Sequence, residues 1–171
     1  MNILMIVAKQ DFRDEEFQIP FDLFKERELE VDIASTEAGR CTGKLGTEIS
    51  ANKSFEDVHV DDYSAVVLVG GPGSKDLVGD EQLEQIIQDA VIKKRIVAAI
   101  CYAPVILAKS GVLSGKAATV WDGDNNQSPI LEEYGVHYVK KDVVVDENFI
   151  TADGPSSAAE FAIAIVRALK H

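Results

Sequence analysis

Short, uninterrupted apolar runs alternate along this chain with amphipathic segments, and that alternation leaves few folds open. The runs are ILMIVA (3–8), VDIAS (31–35), AVVLVG (65–70), IVAAI (96–100), AATVW (117–121), VVV (143–145) and NFITA (148–152). Several are apolar at consecutive positions. A strand covered on one face alternates apolar with polar, whereas a strand covered on both faces does not. Between the runs lie segments with helical periodicity near 14–28, 80–94, 103–112, 128–134 and 156–169. In the last of these, Ala158, Phe161, Ala162, Ile165 and Leu169 fall on one stripe after Gly154 and Pro155 close the preceding strand. Strand–helix alternation of this kind predicts an α/β fold, a mostly parallel sheet with helices on both faces.

At 171 residues the chain fits one domain, 1–171, with a sizeable core; no repeat, linker or low-complexity segment interrupts it. Its 29 acidic and 17 basic residues give a net charge of −12, which argues against nucleic acid or an anionic membrane surface as partner. No run reaches the ~18 apolar residues of a membrane span. The first apolar run is too short for a secretory signal and lacks a basic flank. With two cysteines, Cys41 and Cys101, the expectation is a cytoplasmic protein with reduced thiols.

In an open parallel sheet, ligands bind beyond the carboxyl ends of the strands. The loops that leave those ends are 9–16, 70–75, 101–104, 121–128 and 153–156. Cys101 ends a strand run, and Pro104 opens a helix directly after it. A strand-to-helix elbow presents its apical side chain to free backbone N–H groups and to the positive end of the helix, which favour a thiolate. The alternative is a buried structural cysteine. The turn VGGPGSKD (69–76) has neither Walker A nor dinucleotide-binding spacing. It reads as a tight turn or as the source of a backbone N–H, at Gly71, for an oxyanion beside Cys101.

On the first helix, Phe17, Pro20, Phe21 and Phe24 make the buried stripe. At ~100° per residue, Glu15 points to solvent and Glu16 falls on the boundary, where a partly desolvated carboxyl has a raised pKa. The loops 121–128 and 153–156 offer Trp121, Asp122, Gly154 and Pro155 as candidate pocket residues. Asp122, Asp124, Asn126 and Glu133 match four positions of a calcium loop, but Gln127 stands where that loop requires glycine, so no metal is expected. His59, His137 and His171 all fall outside the ligand-face loops and read as solvated or packed side chains.

Four ordered motifs resemble the ThiJ/PfpI superfamily. FRDEEFQIP resembles its early segment, with the family's glutamate at Glu16; LVGGPGS resembles its oxyanion turn. AAICYAP resembles its A-I-C-x-G-P elbow, with the nucleophile at Cys101, and FITADGPSSAAEFAIAIVRAL resembles its closing strand and helix. The resemblance implies a flavodoxin-like sandwich, usually dimeric; a homodimer or higher homo-oligomer without a cofactor is expected. It assigns the oxyanion donors to the backbone N–H groups of Gly71 and Tyr102, and it makes Glu16 the carboxyl partner of the sulfur. The chain departs from the family at three places. Tyr102 stands where protease-like members carry histidine, Ala103 replaces a glycine, and Val120 or Trp121 lies near the histidine position of deglycase-like members. Class I glutamine amidotransferases also share GGPG, but they need motifs that CYAP (101–104) and GPSSAAE (154–160) do not supply.

Two functions follow as expectations. One is a cysteine-dependent enzyme, protease-like or glyoxalase/deglycase-like, acting on peptides, α-oxoaldehydes or their protein adducts. The other is a redox-sensing or chaperone-like stress protein that uses Cys101 oxidation without turnover.

Overall fold

A computed structural model of the chain describes residues 1–170; His171 lies outside them. Its seven-stranded main sheet contains β1 (Asn2–Ile6), β3 (Glu30–Ser35), β6 (Lys53–Ser54), β7 (Ala65–Leu68), β8 (Ile96–Ile100), β11 (Val143–Asp146) and β12 (Phe149–Ala152). They lie in the order β11-β12-β8-β7-β1-β3-β6. All neighbours are parallel except β11 and β12, which form an antiparallel edge pair.

The uninterrupted apolar runs are explained by two cores, one on each side of the sheet. Leu4, Ile6, Val66, Leu68, Val97 and Ala99 point to one side, where Leu83, Ile86, Ile87 and Ala90 of α2 (Glu81–Ile92) and Val105 to Ala108 of α3 (Pro104–Lys109) cover them. Ile3, Met5, Ala65, Val67, Ala98 and Ile100 point to the other, beneath Phe17 and Phe24 of α1 (Asp14–Glu26) and Phe161, Ala162 and Ile165 of α5 (Ala158–Ala168). Successive side chains of a strand face opposite ways, so every position of a central strand needs an apolar residue. Phe161 is fully buried, and its truncation to alanine would cost roughly 3–5 kcal/mol.

From β1 the chain first steps to β3 on one side and later returns to β7 on the other. Connections leaving β1 and β7 therefore part to opposite layers and open a crevice at the carboxyl ends. α1 runs through Pro20 without interruption, and its acidic first turn (Asp14, Glu15, Glu16) suits the helix N-terminus.

Strands at 39–51 have no counterpart in the sequence reading. β4 (Gly39–Gly43) and β5 (Glu48–Ala51) form an antiparallel hairpin, and β2 (Gln10–Phe12) pairs in parallel with β4. GRCTG and EISA are short and only partly apolar, so periodicity does not reveal them. The run at 117–121 also forms less strand than expected: only β9 (Ala117–Ala118) pairs, with β10 (His137–Tyr138), in a sheet of their own. Among the described residues, no helix is long and apolar enough to cross a membrane.

Candidate active site

Cys101 follows β8 directly and adopts φ +62°, a left-handed conformation rare outside glycine. Such a residue costs roughly 1–3 kcal/mol and persists only where its surroundings hold it. Here its N–H donates to the Ala152 carbonyl at 2.9 Å, and its carbonyl accepts from the Trp121 N–H at 2.9 Å. Clamped at both ends, the elbow turns straight into α3, with Pro104 in the first helical position.

The double glycine after β7 has a steric cause. Gly71 has φ +105°, and a side chain there would also strike the backbone at Arg13 N and Asp11 O. Gly70 has an ordinary φ but no room: a Cβ would lie 2.6 Å from Cys101 Cβ and 2.6 Å from Glu16 Oε2. Those two atoms are therefore no farther apart than twice that distance. Arg13 N–H donates to the Gly70 carbonyl at 3.0 Å, which ties the start of α1 to this turn and carries Glu16 to the sulfur.

Glu16 has no exposed surface, so the helix turns it fully inward rather than leaving it at the boundary. Neither carboxyl oxygen finds a hydrogen-bond partner of good geometry. The carboxyl nevertheless lies near enough to the Cys101 thiol and the Gly70 N–H to feel both. Burial is the larger effect and pushes its pKa up to about 7; the thiol, the Arg13 charge and the Gly70 N–H pull the other way. Burial and the Glu16 carboxylate push the Cys101 thiol up to about 12, opposed by the backbone N–H groups of Gly71 and Tyr102. The two groups therefore compete for one proton. When Glu16 holds it, the carboxylate repulsion on the sulfur is gone and the neutral carboxyl can donate to the thiolate.

A pocket of about 320 Å³ opens above the sulfur, lined by Cys101 and Tyr102 with Trp121 and Pro155, and by the cationic side chains Arg13, Lys44 and Lys75. Two sequence-nominated residues stand elsewhere. Asp122 is absent from this lining because its carboxylate is committed to the start of α4 (Gln127–Glu133): it accepts from the N–H groups of Gln127 at 2.9 Å and Ser128 at 3.0 Å, and from the Ser128 hydroxyl at 2.6 Å. Gly154 is buried behind Trp121, whose Cδ1 would lie 3.5 Å from any Cβ built there.

Glu15 is half-buried rather than free in solvent, paired with Arg13 through two contacts of 2.8 and 3.1 Å. His59 and His137 are exposed and do not line the pocket. Cys41 is fully buried, and both cysteines are free thiols. Among the described residues, no group of three or more His, Cys, Asp or Glu side chains is arranged to hold a metal ion.

Lys44 was not legible in the sequence because it rides on the unforeseen hairpin. Lys75 and Arg13 lay within quoted motifs, but nothing there marked them as pocket residues.

Comparison with known proteins gives the chain relatives in both sequence and fold. A sequence profile of the DJ-1/PfpI family matches residues 1–168. An uncharacterized protein of Methanocaldococcus jannaschii is 41% identical over 169 residues, covering 98% of this chain and 82% of that protein. Deglycase PfpI of Pyrococcus furiosus is 32% identical over 170 residues, covering 99% of this chain and 100% of its own. The crystal structure of a ThiJ/PfpI domain protein from Brachyspira murdochii superposes with a TM-score of 0.94 at 30% identity, covering 99% of this chain and 96% of that one. With its mostly parallel sheet flanked by helices and a profile match along nearly its whole length, the chain belongs to the DJ-1/PfpI family.

Proposed function

We propose that the protein is a cysteine-dependent enzyme acting on small reactive carbonyl compounds, α-oxoaldehydes or the adducts they form, with Cys101 as nucleophile and Glu16 as acid and base. One observation carries this reading: a carboxyl with no exposed surface lies beside the sulfur of a left-handed elbow, and burial pushes its pKa up to about 7. A group poised there suits proton transfer at neutral pH without an imidazole.

The chemistry needs little else. As the Cys101 sulfur attacks the aldehyde carbon, the Glu16 carboxylate takes its proton, and the carbonyl π electrons move onto oxygen. The N–H groups of Gly71 and Tyr102, which lie against the sulfur, stabilise that oxygen, and Glu16 returns the proton to give a neutral thiohemiacetal. For an α-oxoaldehyde, the ionised Glu16 next takes the proton from the thiohemiacetal carbon. Its return to the neighbouring carbon, with the hydroxyl proton of the thiohemiacetal passing to the former ketone oxygen, leaves a 2-hydroxyacyl thioester. Water hydrolyses the thioester to a 2-hydroxy acid and frees the thiol. No amine has to leave in this sequence. The pocket is at the small end of the ligand-site range, which also favours a compact carbonyl compound over an extended peptide.

Methylglyoxal consumption with chromatographic detection of lactate tests this. Wild type should form lactate, Cys101→Ser should not, and Glu16→Gln should be slower by about 10²–10⁴-fold. Lactate formation that survives in Cys101→Ser, or none in wild type, would refute it.

A second reading rests on the same three groups around the sulfur. Glu16 and the N–H groups of Gly71 and Tyr102 would also hold the oxygens of a sulfinate, as a redox sensor without turnover would need.

A further inference from the structure

The pocket runs against the charge of the chain as a whole. Acidic residues outnumber basic ones 29 to 17, yet Arg13, Lys44 and Lys75 face a single carboxylate, Asp124, in the pocket lining. Arg13 is already engaged by Glu15, and Asp124 accepts from the Asn126 N–H at 3.2 Å. Lys44 and Lys75, both exposed, make no ion pair among the described residues. Lys75 leans over the residue next to the nucleophile, its Nζ 5.3 Å from the Tyr102 ring centroid.

Lys44 is held in place by a buried charge. The Asp14 carboxylate, 6% exposed, accepts from the N–H groups of Leu45 and Thr47 at 2.8 Å each, while the Lys44 N–H donates to the Phe12 carbonyl at 2.9 Å. Gly43 has no room for a side chain because Asp14 fills that space. The hairpin tip is thus pinned by its backbone to the first turn of α1, the same helix that carries Glu16. A buried carboxylate is costly unless several donors satisfy it, and here those donors are the loop that bears Lys44.

We propose that Lys44 and Lys75 form an anion subsite, and that the substrate is a small carbonyl compound bearing a carboxylate. This rests on the reading of Cys101 as the group that attacks the carbonyl. The lysines would draw the carboxylate to the rim and leave the carbonyl end over the sulfur. Two unpaired ammonium groups on one rim attract one anionic group more strongly than either does alone.

Trp121, the single tryptophan, lines the pocket and reports occupancy by fluorescence. Titrations use Cys101→Ser, with glycolate and its neutral isostere glycolamide as inert probes. Glycolate should bind saturably and more tightly than glycolamide, and more weakly as salt rises. Lys44→Met and Lys75→Met should each weaken glycolate about two- to fivefold, the double variant more, with glycolamide unchanged. Equal affinities for the two probes, no glycolate binding, or glycolate binding unaltered by loss of both lysines would overturn the proposal. Because the serine variant cannot turn over, glycolate binding with no wild-type lactate formation would sink the enzyme reading and the carbonyl substrate with it, leaving the anion subsite. Lactate formation without glycolate preference would sink the subsite alone.

Discussion

Gly70 and Cys101 are in such close approach that a single methyl group on the glycine would lie 2.6 Å from the cysteine Cβ. The same methyl would lie 2.6 Å from Glu16 Oε2, so the glycine is the gap through which carboxyl and sulfur meet. Gly70→Ala should therefore destabilise the fold by about 1–3 kcal/mol through overpacking, with no contribution from backbone strain. It should also move Glu16 off the sulfur and flatten the pH profile of Cys101 alkylation. Urea denaturation and iodoacetamide kinetics measure both; a variant as stable and as reactive as wild type would contradict the packing described.

Glu16 should make stability fall as pH rises. Its pKa goes from the ordinary 4.5 to about 7 in the folded protein, so the native state keeps a proton that the unfolded chain has released. Between these values the native state binds more protons, and unfolding free energy declines with pH, by about 3 kcal/mol in all, before levelling above about 7. Asp14 and Asp32 have depressed pKa values, so their contributions are lost only on acidification below this window. Glu16→Gln should remove most of the decline between about pH 5 and pH 8. Denaturant midpoints at the two pH values check this; an unchanged slope in the variant would show that Glu16 titrates normally.

Peroxide should carry Cys101 to the sulfinate. Each of two equivalents gives one oxygen to sulfur and leaves as water, and a protonated Glu16 then donates to a sulfinate oxygen. Mass spectrometry should find two added oxygens at Cys101 and little change at the fully buried Cys41. Glu16→Leu should lower the sulfinate yield. Equal yields in both proteins would remove Glu16 from the stabilising set.

Peptide cleavage should be weak, limited by residue 102. Once Glu16 has returned its proton to the oxyanion, an amine leaving group needs another, and burial raises the Tyr102 phenol above its usual 10, farther still from neutrality. An activated ester needs no such proton. Matched ester and amide substrates should show the ester strongly preferred, and Tyr102→His should raise amide cleavage selectively, by up to about 10²–10⁴-fold. Amide cleavage equal to that of the ester in wild type, or no gain in a folded histidine variant, would show that the proton comes from elsewhere.

Much of this architecture was legible in the residues. Consecutive apolar positions in ILMIVA, AVVLVG and IVAAI mark strands buried on both faces, because alternate side chains must enter two different cores. The alternation of such strands with helices sets the layer order, and a cysteine between a strand and Pro104 marks the elbow. These signals are local: each lies within a few residues of the structure it specifies.

The site depended on distance in sequence. Helical angles left Glu16 at the edge of a stripe; packing of α1 against the turn after β7 buried it, because Arg13 bonds to Gly70 and Gly70 yields its side-chain space to the carboxyl. Asp122 had the look of a pocket residue, yet the unsatisfied N–H groups at the start of α4 claim its carboxylate. Lys44 carried no signal at all. It reaches the pocket on a hairpin whose few apolar residues give no clear period, and which Asp14 holds from 31 residues away in the chain. Sequence alone determined the doubly covered central strands, the helices packed on them and the elbow, because burial and backbone conformation act on neighbouring residues. The pairing of Glu16 with Cys101 and the charge of the pocket were decided only by tertiary structure, since both arise from contacts between loops that no local propensity encodes.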